Sequence, residues 1–363
     1  MDKFVKALEY CKNIFDGTHE TPKPTNSGHL LITSKHLLDN ALDYTSAYKI
    51  SEKDYVSINR RSAVHQWDIL FSMIGTVGTI YLEKNQKIEY AIKNVGVFSC
   101  RDEYRAKFLF YYLQTPYAKK WLNNYLSGAV QKFLSLGALK GYPVLTYEPK
   151  HQNIVDFLSA LDKKIELNNQ INQTLEQMAK TLYDYWFVQF DFPFDFTQGK
   201  PDPHGKPYKS SGGKMVYNEE LKREIPEGWE VKELSEVITR SGTGLNPRDN
   251  FKLGSGNNYY ITIKSIKNGK IIFDDKCDKI DDEALKIINK RSQLQAGDIL
   301  FTSIEPVGVT YLLHEKPTNW DINESVFTIR ANTERVTPEY LYMLLSSIEM
   351  QAFTKNVSAG SYT

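Results

Sequence analysis

The most regular pattern in the chain is a stripe of apolar residues in its middle, between Gln152 and Phe190. Apolar side chains recur there at steps of three or four, at Ile154, Leu158, Leu161, Ile165, Ile171, Leu175, Met178, Leu182 and Tyr185. This spacing predicts one long amphipathic helix. No Pro or Gly interrupts residues 152–187, so the helix would be roughly 55 Å long.

The apolar stripe is narrow, and Asn168, Asn169 and Asn172 interrupt it. A narrow seam with polar positions that set its register is typical of a coiled coil. The alternative is a helix buried inside one large domain. We favour the coiled coil because the sequences on the two sides of the helix resemble each other.

The first 150 residues predict a mostly β lobe. A short helix or strand (residues 1–16) leads into a polar loop from Asp16 to Gly28, which would display its side chains. Strands are predicted at residues 29–37, within 64–84 on both sides of Gly75 and Gly78, and at 94–100. Residues 103–126 are helical in pattern and rich in aromatic side chains, most of which core packing explains.

The second half of the chain repeats the first. Residues 50–82 align without a gap on residues 280–312, so that 67–82 (WDILFSMIGTVGTIYL) falls on 297–312 (GDILFTSIEPVGVTYL). Shorter matches follow in the same order: 32–35 with 261–264, Val97-Phe98 with Val326-Phe327, and 108–113 with 340–345. This collinearity predicts an internal repeat of about 230 residues, each copy being a lobe followed by a long helix.

The second copy has no counterpart of residues 143–190 within the sequence, so a second long helix is missing from it. Between the copies, residues 190–234 are rich in Pro, Gly, Ser and Lys as far as Gly213. That composition predicts a linker or an irregular tie.

Composition places only loose limits on the number of domains, the cell compartment and the class of partner. With 363 residues, the chain is long enough for about two domains, and no signal peptide or membrane-spanning run is visible, which predicts a cytoplasmic protein. Residues 1–150 hold 20 Lys+Arg against 14 Asp+Glu, whereas residues 210–363 hold 19 against 22. The surplus in the first lobe is compatible with a polyanionic partner. Cys11, Cys100 and Cys277 form no CxxC pair, which argues against a disulfide framework or a thiolate zinc site.

The sequence offers little catalytic chemistry. It contains no phosphate-binding loop, no dinucleotide fingerprint and no nucleophile elbow, and we predict neither a cofactor nor a metal. His19, His29 and His36 lack further ligands at metal-binding spacing. Pro201-Asp202 followed by Glu220-Leu221-Lys222 matches the spelling of a PD…ExK nuclease, but the match falls in a Pro-Gly segment instead of adjacent strands.

Several motifs together resemble the specificity (S) subunit of a type I restriction-modification system. They are the loop Asp16–His19 with Pro22, the twin D-I-L-F-S/T strands, the long helix, and Ile225–Trp229 before the second lobe. The resemblance covers essentially the whole chain. It implies an α+β (mixed α/β) fold with two tandem target-recognition domains, each reading one half of a split DNA sequence and joined by a long coiled-coil-forming helix.

The same resemblance implies partners and a departure from the family pattern. Double-stranded DNA, methyltransferase (M) subunits and restriction (R) subunits are the expected partners. The chain ends at Thr363, where the family would continue into a second conserved helix. The stripe of the first helix is therefore expected either to self-associate in a homodimer or to leave the chain unstable without the methyltransferase subunit. The helix-pairing residues would be Leu158, Leu161, Ile165, Leu175, Met178 and Leu182.

Contacts with DNA are expected from polar and basic side chains on loops that rigid strands support. In the first lobe the candidates are Thr18, His19, Lys23, Ser72, Thr76, Ser127, Gln131 and Lys132. In the second lobe they are Thr243, Asn246, Arg248, Lys264, Lys267, Ser303, Ser358 and Ser361. The aromatic end of the helix offers contacts to a methyltransferase subunit or to its own lobe, at Tyr183, Trp186 and Phe187.

The predicted domains are residues 1–150, the helix 151–190, a linker 191–224 and the second domain 225–363. The predicted function is sequence-specific DNA binding without catalysis. Two other classes stay open: a nuclease built on Asp202 and Glu220, and an assembly scaffold that makes no contact with DNA.

Overall fold

The computed structural model describes residues 4–38, 40–126, 132–267, 269–274 and 276–360. For residues 358–360 only the backbone is described. The chain divides into two compact units, Met1–Gln170 (unit 1) and Ile171–Thr363 (unit 2). The strands of unit 1 are β1 (Phe4–Lys6), β2 (Asn13–Asp16), β3 (His29–Thr33), β4 (Leu37–Leu38), β5 (Ala41–Leu42), β6 (Lys49–Ile50), β7 (Asp68–Ser72), β8 (Ile80–Leu82), β9 (Tyr90–Lys93), β10 (Val95–Ser99) and β11 (Pro143–Leu145). Its helices are α1 (Ala7–Tyr10), α2 (Glu52–Ser62), α3 (Glu103–Leu113), α4 (Pro116–Tyr125), α5 (Leu136–Lys140) and α6 (Gln152–Tyr183), the last of which ends in unit 2.

Unit 1 is built on an antiparallel sheet in the order β2-β10-β7-β8. Both faces of this sheet are buried. On one face Phe71 and Phe98 pack in a cluster with Leu109 of α3, and on the other Leu70 and Val97 join a second cluster. The second cluster belongs to a smaller sheet, β6-β3-β9, in which β3 and β9 run parallel. Continuous apolar runs such as DILFS are what a strand buried on both faces requires.

The predicted helical stretch 103–126 forms two helices. Asp102 accepts a hydrogen bond from the Arg105 amide at the start of α3, and Thr115 accepts one from the Ala118 amide at the start of α4. Pro116 occupies the first turn of α4. Proline has no amide hydrogen to donate and therefore separates the two helices.

Unit 2 contains an aromatic module, a copy of the lobe and a final helix. Its strands are β12 (Pro193–Asp195), β13 (Lys200–Pro201), β14 (Lys206–Pro207), β15 (Met215–Asn218), β16 (Arg223–Pro226), β17 (Ile238–Thr243), β18 (Asn258–Ile261), β19 (Ile266–Lys267), β20 (Lys270–Ile271), β21 (Asp278–Ile280), β22 (Asp298–Thr302), β23 (Thr310–Leu312), β24 (Trp320–Ile322) and β25 (Val326–Ala331). Its helices are α7 (Leu234–Val237), α8 (Asp282–Ser292), α9 (Pro338–Ser346) and α10 (Ile348–Gly360).

The internal repeat is confirmed element by element. The sheets β17-β25-β22-β23 and β21-β18-β24 of unit 2 have the strand orders and directions of β2-β10-β7-β8 and β6-β3-β9 in unit 1. Helices α7, α8, α9 and α10 follow in the places of α1, α2, α3 and α4. The mixed α+β fold with tandem lobes is therefore the architecture of the chain.

One of the predicted matches is wrong by two residues. In unit 1 Val95 lies opposite Ser72, and in unit 2 Val326 lies opposite Thr302. The counterpart of Val326 is thus Val95, not Val97. A strand repeats its side-chain direction every two residues, so a shift by two leaves the same hydrophobic alternation and the sequence pattern does not reveal it.

The predicted linker is an ordered aromatic module, which we define as residues 190–229. It forms a three-stranded sheet (β13-β12-β14) and a hairpin (β15-β16). Phe192 stacks between Tyr208, at a ring-centroid distance of 4.8 Å, and Trp229, at 5.3 Å. These aromatic rings supply a small core that the Pro and Gly content of the segment concealed.

Helix α6 forms as predicted and leaves its apolar stripe in solvent. The exposed fractions of its side chains are 45% at Leu161, 59% at Ile165, 56% at Leu175, 55% at Met178 and 45% at Leu182, and Leu158 is half-buried. The neighbouring face of the helix contacts unit 1: the Tyr111 hydroxyl donates to Asp162 over 2.8 Å, and burial together with this carboxylate raises the pKa of Tyr111 to about 12. Within the described part of the chain, no helix is both long and apolar enough to cross a bilayer.

Candidate DNA interface

The candidate site of unit 1 is the end of its large sheet where β2 and β7 finish and β10 begins. Asp16, the last residue of β2, lies opposite Gly96, and Ser72, the last residue of β7, lies opposite Val95. The loop that follows β2 and the turn that follows β7 therefore emerge side by side. We call this place the loop end of unit 1.

Gly17 starts the loop against the backbone of β9. A Cβ atom at this position would stand 2.3 Å from the Ile92 carbonyl oxygen, so only glycine fits. The Thr18 amide donates to the same carbonyl over 3.0 Å, and the Thr18 carbonyl accepts from the Asn94 amide over 3.1 Å. These two hydrogen bonds hold the start of the loop alongside the end of β9.

His19 is displayed by this anchored start. Its side chain is 69% exposed, with Nε2 3.1 Å from Asp16 Oδ2 and Nδ1 2.8 Å from Asn94 Oδ1. Both ring nitrogens thus have polar partners in the protein, which orient the ring, while most of the side chain is exposed. Lys23 is exposed further along the loop, and Lys93 donates to the hydroxyl of Thr21.

Ser72 is a support for the neighbouring turn and not a reader. Its side chain is completely buried; its hydroxyl donates to the Thr76 carbonyl and accepts from the Thr79 amide over 2.9 Å. A hydroxyl with both roles taken inside the protein has nothing left for a base edge. We therefore withdraw Ser72 from the proposed DNA-contacting residues.

Thr76 and Lys132 come together at the loop end. Thr76 is exposed at the tip of the turn held by Ser72. The chain returns beside it, because the Gly75 amide donates to the Lys132 carbonyl over 3.3 Å and the Leu134 amide donates to the Met73 carbonyl over 2.9 Å. The side chain of Lys132 is exposed at this junction.

Unit 2 has an equivalent loop end. Thr243 lies opposite Phe327 and Thr302 lies opposite Val326, so β17, β22 and β25 meet as β2, β7 and β10 do. A Cβ atom on Gly244 would stand 1.8 Å from the Ile322 carbonyl oxygen. Gly244 is therefore the counterpart of Gly17.

An arginine braces the loop in each unit. Arg61 Nη2 donates to the Gly17 carbonyl over 3.2 Å, and Arg291 Nε donates to the Gly244 carbonyl over 3.0 Å. Neither arginine was among the predicted site residues. The signal was present, because Arg61 falls on Arg291 in the alignment of the two copies.

The predicted residues of unit 2 take different roles at this end. Thr243 lies in the position of Asp16 and accepts from Arg291 Nη2 over 3.3 Å. Asn246 lies in the position of His19; its carbonyl accepts from Asn250 Nδ2 over 3.0 Å. Arg248 is exposed on the same loop.

Ser303 is engaged within the protein. Its amide and its hydroxyl both donate to the Ser325 carbonyl, over 3.0 and 2.9 Å, which ties the turn to the strand that follows. The residue that takes the place of Ser72 is Thr302, whose hydroxyl donates to Pro306 and accepts from Val309. This agrees with the alignment of residues 67–82 on 297–312, in which Ser72 falls on Thr302.

Lys264 and Lys267 lie on a different element of unit 2. Lys264 is on a short 3₁₀ turn (Ile263–Ser265), and Lys267 is in β19, directly opposite Lys270 of β20. All three lysines are exposed. The equivalent hairpin of unit 1, β4-β5, carries Leu38 and Ala41 at the positions of Lys267 and Lys270. The basic hairpin is therefore a feature of unit 2. Lys270 is a cationic candidate that the sequence pattern did not single out.

Four of the predicted residues are not placed by the structure. Ser127, Gln131 and Ser361 lie outside the described residues, and the side chain of Ser358 does too.

Of the aromatic residues predicted to contact a partner subunit, Tyr183 is buried in its own unit. It is 8% exposed and packs on Tyr340 of α9 at a centroid distance of 6.0 Å. Phe187 lies 4.9 Å from Tyr340 and 6.2 Å from Trp229, and Trp186 is half-buried beside it. Tyr183 and Phe187 thus pack against aromatic rings of their own unit, which was the predicted alternative to contact with a methyltransferase subunit.

The two carboxylates of the nuclease alternative lie on separate turns. Asp202 accepts from the His204 amide in a turn, and the Glu220 amide donates to Asn218 at the end of a separate hairpin. Among the residues that the structure describes, no group of three or more His, Cys, Asp or Glu side chains could hold a metal ion. Cys11 and Cys100, far apart in sequence, approach to 3.6 Å between their sulfur atoms as free, buried thiols.

The sequence matches the model of a known family over most of its length. The model of the type I restriction-modification DNA specificity domain matches residues 21–177 and again 226–363. The two matched segments correspond to the two copies of the repeat. The chain therefore belongs to the family of type I restriction-modification DNA specificity proteins.

Curated relatives carry the same description. The type I restriction enzyme MjaIX specificity subunit of Methanocaldococcus jannaschii is 26% identical over 224 residues, covering 60% of this chain and 46% of the relative. The HindI specificity subunit of Haemophilus influenzae is 27% identical over 248 residues, covering 58% and 52%. The chain spans about half the length of these relatives.

Two solved structures are similar over most of the chain. The type I restriction-modification S subunit of M. genitalium has a TM-score of 0.47 and 12% identity, covering 99% of this chain and 79% of that one. The S subunit of Thermoanaerobacter tengcongensis has a TM-score of 0.35 and 14% identity, covering 94% and 78%.

Proposed function

We propose that the chain is the DNA-reading component of a type I restriction-modification system, and that each unit reads one half of a divided DNA sequence through its loop end. The observation that carries the proposal is the strand register. In both units it sets an anchored loop and an anchored turn side by side at one end of the large sheet. Rigid strands with exposed loops are a common way to present recognition side chains.

The residue types suit two kinds of contact. Thr18, His19 and Thr76 in unit 1 carry donors and acceptors of the kind that read base edges, as does Asn246 in unit 2. Lys23 and Lys132 in unit 1, and Arg248, Lys264 and Lys267 in unit 2, would contact phosphates. The cationic surplus of residues 1–150 supports a phosphate-binding role for unit 1.

Binding of duplex DNA tests this assignment. Fluorescence anisotropy of a labelled duplex pool would compare Lys132→Ala with Lys12→Ala, because Lys12 is also exposed but adjoins the opposite end of the same sheet, where its amide donates to Ser99. The loop-end variant should weaken binding and reduce the slope of log K against log salt by about 1, while Lys12→Ala should leave it unchanged. Equal effects of the two substitutions would remove the loop end from the interface.

The matched pair in unit 2 is Arg248→Ala and Arg335→Ala. Arg335 follows the far end of β25 and is also exposed. We expect Arg248→Ala to lower the affinity for duplex DNA and Arg335→Ala to leave it unchanged.

No catalytic step is proposed for this chain, since the family is described by DNA specificity. The nuclease alternative has its own measurement. Nicking of plasmid DNA in the presence of Mg²⁺, abolished by Asp202→Ala, would establish catalysis and overturn this part of the proposal. The scaffold alternative would be favoured if all loop-end variants bound DNA as the unaltered chain does.

Assembly with methyltransferase and restriction subunits is proposed from family membership. We further propose that the exposed stripe of α6 pairs with a second copy of the chain, in antiparallel orientation. From Ile154 to Leu182 the steps between seam positions alternate between four and three, through Asn168 and Asn172 at the centre, if Ala179 takes the seam position and Met178 flanks it. An antiparallel pair centred between these asparagines sets Leu158 against Leu182, Ile165 against Leu175 and Asn168 against Asn172. The remaining layer sets Leu161 against Ala179. Apolar residues thus face apolar residues, and the two asparagines face each other.

The helix itself provides a matched control for this pairing. Leu175, on the stripe, is 56% exposed, and Leu167, off the stripe, is 54% exposed. Sedimentation equilibrium should show a dimer for Leu167→Asp and a monomer for Leu175→Asp. A chain that stays monomeric at all concentrations, or two variants that behave alike, would exclude pairing through the stripe.

A further inference from the structure

One exposed aromatic ring lies at the loop end of unit 1, next to exposed polar side chains. Phe133 is 43% exposed and directly follows Lys132. A single exposed apolar side chain is common on a protein surface. What distinguishes Phe133 is its place beside Thr76, which is proposed to contact base edges, and Lys132, which is proposed to contact a phosphate.

The backbone fixes the direction of this ring. Phe133 pairs antiparallel with Ile74, and the hydrogen bonds of the Gly75 and Leu134 amides lie on the two sides of this pair. Successive side chains of an extended segment point to opposite sides. Leu134 points into the main core of unit 1 and is 1% exposed. Phe133 therefore points away from that core and cannot be buried in it without loss of the pairing.

The chemistry of DNA limits what an apolar ring at this place can recognise. The edges of base pairs present hydrogen-bond donors and acceptors in both grooves. The major groove also presents one apolar group, the 5-methyl group of thymine, whereas the minor groove presents none. Contact with this methyl group requires no unstacking of the duplex, in contrast to insertion of a ring between two bases.

We propose that Phe133 is a specificity-determining residue that recognises a thymine by apolar contact with its 5-methyl group in the major groove. This inference rests on the proposed function of the loop end and names one base that unit 1 reads. Lys132 would bind the neighbouring phosphate and hold the backbone in place, while the ring of Phe133 covers the methyl group. The half-site of unit 1 therefore contains at least one thymine at a fixed position.

Replacement of thymine by deoxyuridine tests the contact at the level of a single methyl group. The probe is the duplex that the unaltered chain enriches from a randomised library. Each thymine of its two half-sites is replaced in turn by deoxyuridine, which keeps every hydrogen-bonding group and lacks only the methyl group. One replacement should weaken binding by about fourfold, the value of one methyl group removed from water.

Variants of the full chain assign that methyl group to its contact. Phe133→Ala should bind the thymine and the deoxyuridine duplex with equal affinity, because the apolar partner of the methyl group is gone. Phe133→Leu should retain a preference for thymine, since leucine also offers an apolar surface. Tyr117→Ala is the matched control: this ring is 56% exposed but packs on Phe4 of β1 at a centroid distance of 5.3 Å, and its loss should leave the preference unchanged.

The ratio of the two affinities guards against loss of folding, because a smaller folded fraction weakens binding to both duplexes equally. Half-sites without a thymine, no thymine whose methyl group matters, or an unchanged preference in Phe133→Ala would overturn the proposal. If Lys132→Ala still weakens binding and reduces the salt dependence, such a result removes the methyl contact and leaves the proposed function in place. Enrichment of no sequence by the unaltered chain would instead overturn the proposed function, and this inference with it.

Discussion

The hydroxyls of Ser72 and Thr302 make the same two hydrogen bonds in the two copies of the repeat. Each donates to the carbonyl four residues later and accepts from the amide seven residues later. A buried hydroxyl thus closes the turn at each loop end. The position of Thr76, at the tip of the first turn, depends on it.

Ser72→Ala should destabilise the chain by about 1–3 kcal/mol, because the Thr76 carbonyl and the Thr79 amide would lose their buried partner. Urea unfolding followed by circular dichroism would measure the change. Ser72→Thr is the control, because Thr302 makes the same two hydrogen bonds in unit 2. It should lower the free energy of unfolding much less than Ser72→Ala does. Equal losses from the two substitutions would mean that the side-chain volume matters and the hydrogen bonds do not.

Gly17→Ala and Gly244→Ala should each distort the loop that follows, because the new Cβ atom would overlap a carbonyl oxygen of the adjacent strand. We expect weaker DNA binding and a loss of stability above about 1 kcal/mol for each. Gly137→Ala is the matched control: its nearest neighbour would be Ser135 Oγ at 3.8 Å, and it lies in helix α5. Unchanged binding by the two loop variants would show that the loop starts are not held as described.

Asp321 should make the stability of unit 2 depend on pH. Its side chain is fully buried, and burial raises its pKa to about 6 from an ordinary value of 3.8. Between these two pKa values the folded state keeps the proton that the unfolded state releases. The contribution of Asp321 to the free energy of unfolding is therefore greatest below pH 3.8, falls as the pH rises to about 6 and stays low above it. The loss from this group is about 3 kcal/mol at most.

Asp321→Asn should remove this dependence, and the difference in unfolding free energy between variant and parent should grow from pH 4 to pH 7 by about 1–3 kcal/mol. Asp321→Ala is a second variant, because unit 1 has Ala91 at this position. There Ser62 donates to the Ile58 carbonyl over 3.0 Å, a partner that Ser292 can copy when Asp321 is absent. Parallel pH profiles for parent and variants would contradict the assignment.

Deletion of one heptad from α6, residues 165–171, tests the helix as a spacer. It should shorten the helix by about 10 Å and preserve the apolar register. In a dimer of the deleted chain, the gap between half-sites should shrink by roughly three base pairs, with the half-site bases unchanged, or recognition should be lost because one half-site rotates around the duplex. Altered half-site bases would show that the helix takes part in reading.

The repeat, the long helix and the positions of several strands were predictable because they rest on hydrophobic periodicity, which dominates local structure. The order of the strands within each sheet was not predicted. The roles of single polar residues were not predictable. Ser72 and Thr76 lie in one polar turn, and no property of their sequence tells that one hydroxyl points inward and the other outward. Arg61 and Arg291 were visible as a matched pair, but their contact with a loop glycine depends on the fold.

The aromatic module shows a second limit. Residues 190–229 have the Pro and Gly content of a linker, yet Phe192, Tyr208 and Trp229 stack on one another. Alternation over segments as short as β13 and β14 is too brief to predict a strand. The predicted domain limits stay a prediction, and the two compact units meet within α6, at residues 170 and 171.

Selection of bound sequences from a randomised duplex library tests the central claim most directly. The unaltered chain should enrich two short half-sites at a fixed separation. His19→Ala should relax one half-site and leave the other intact, and the double variant Asn246→Ala, Arg248→Ala should do the reverse. Enrichment of no sequence, or relaxation of both half-sites by either variant, would contradict the assignment of one half-site to each loop end.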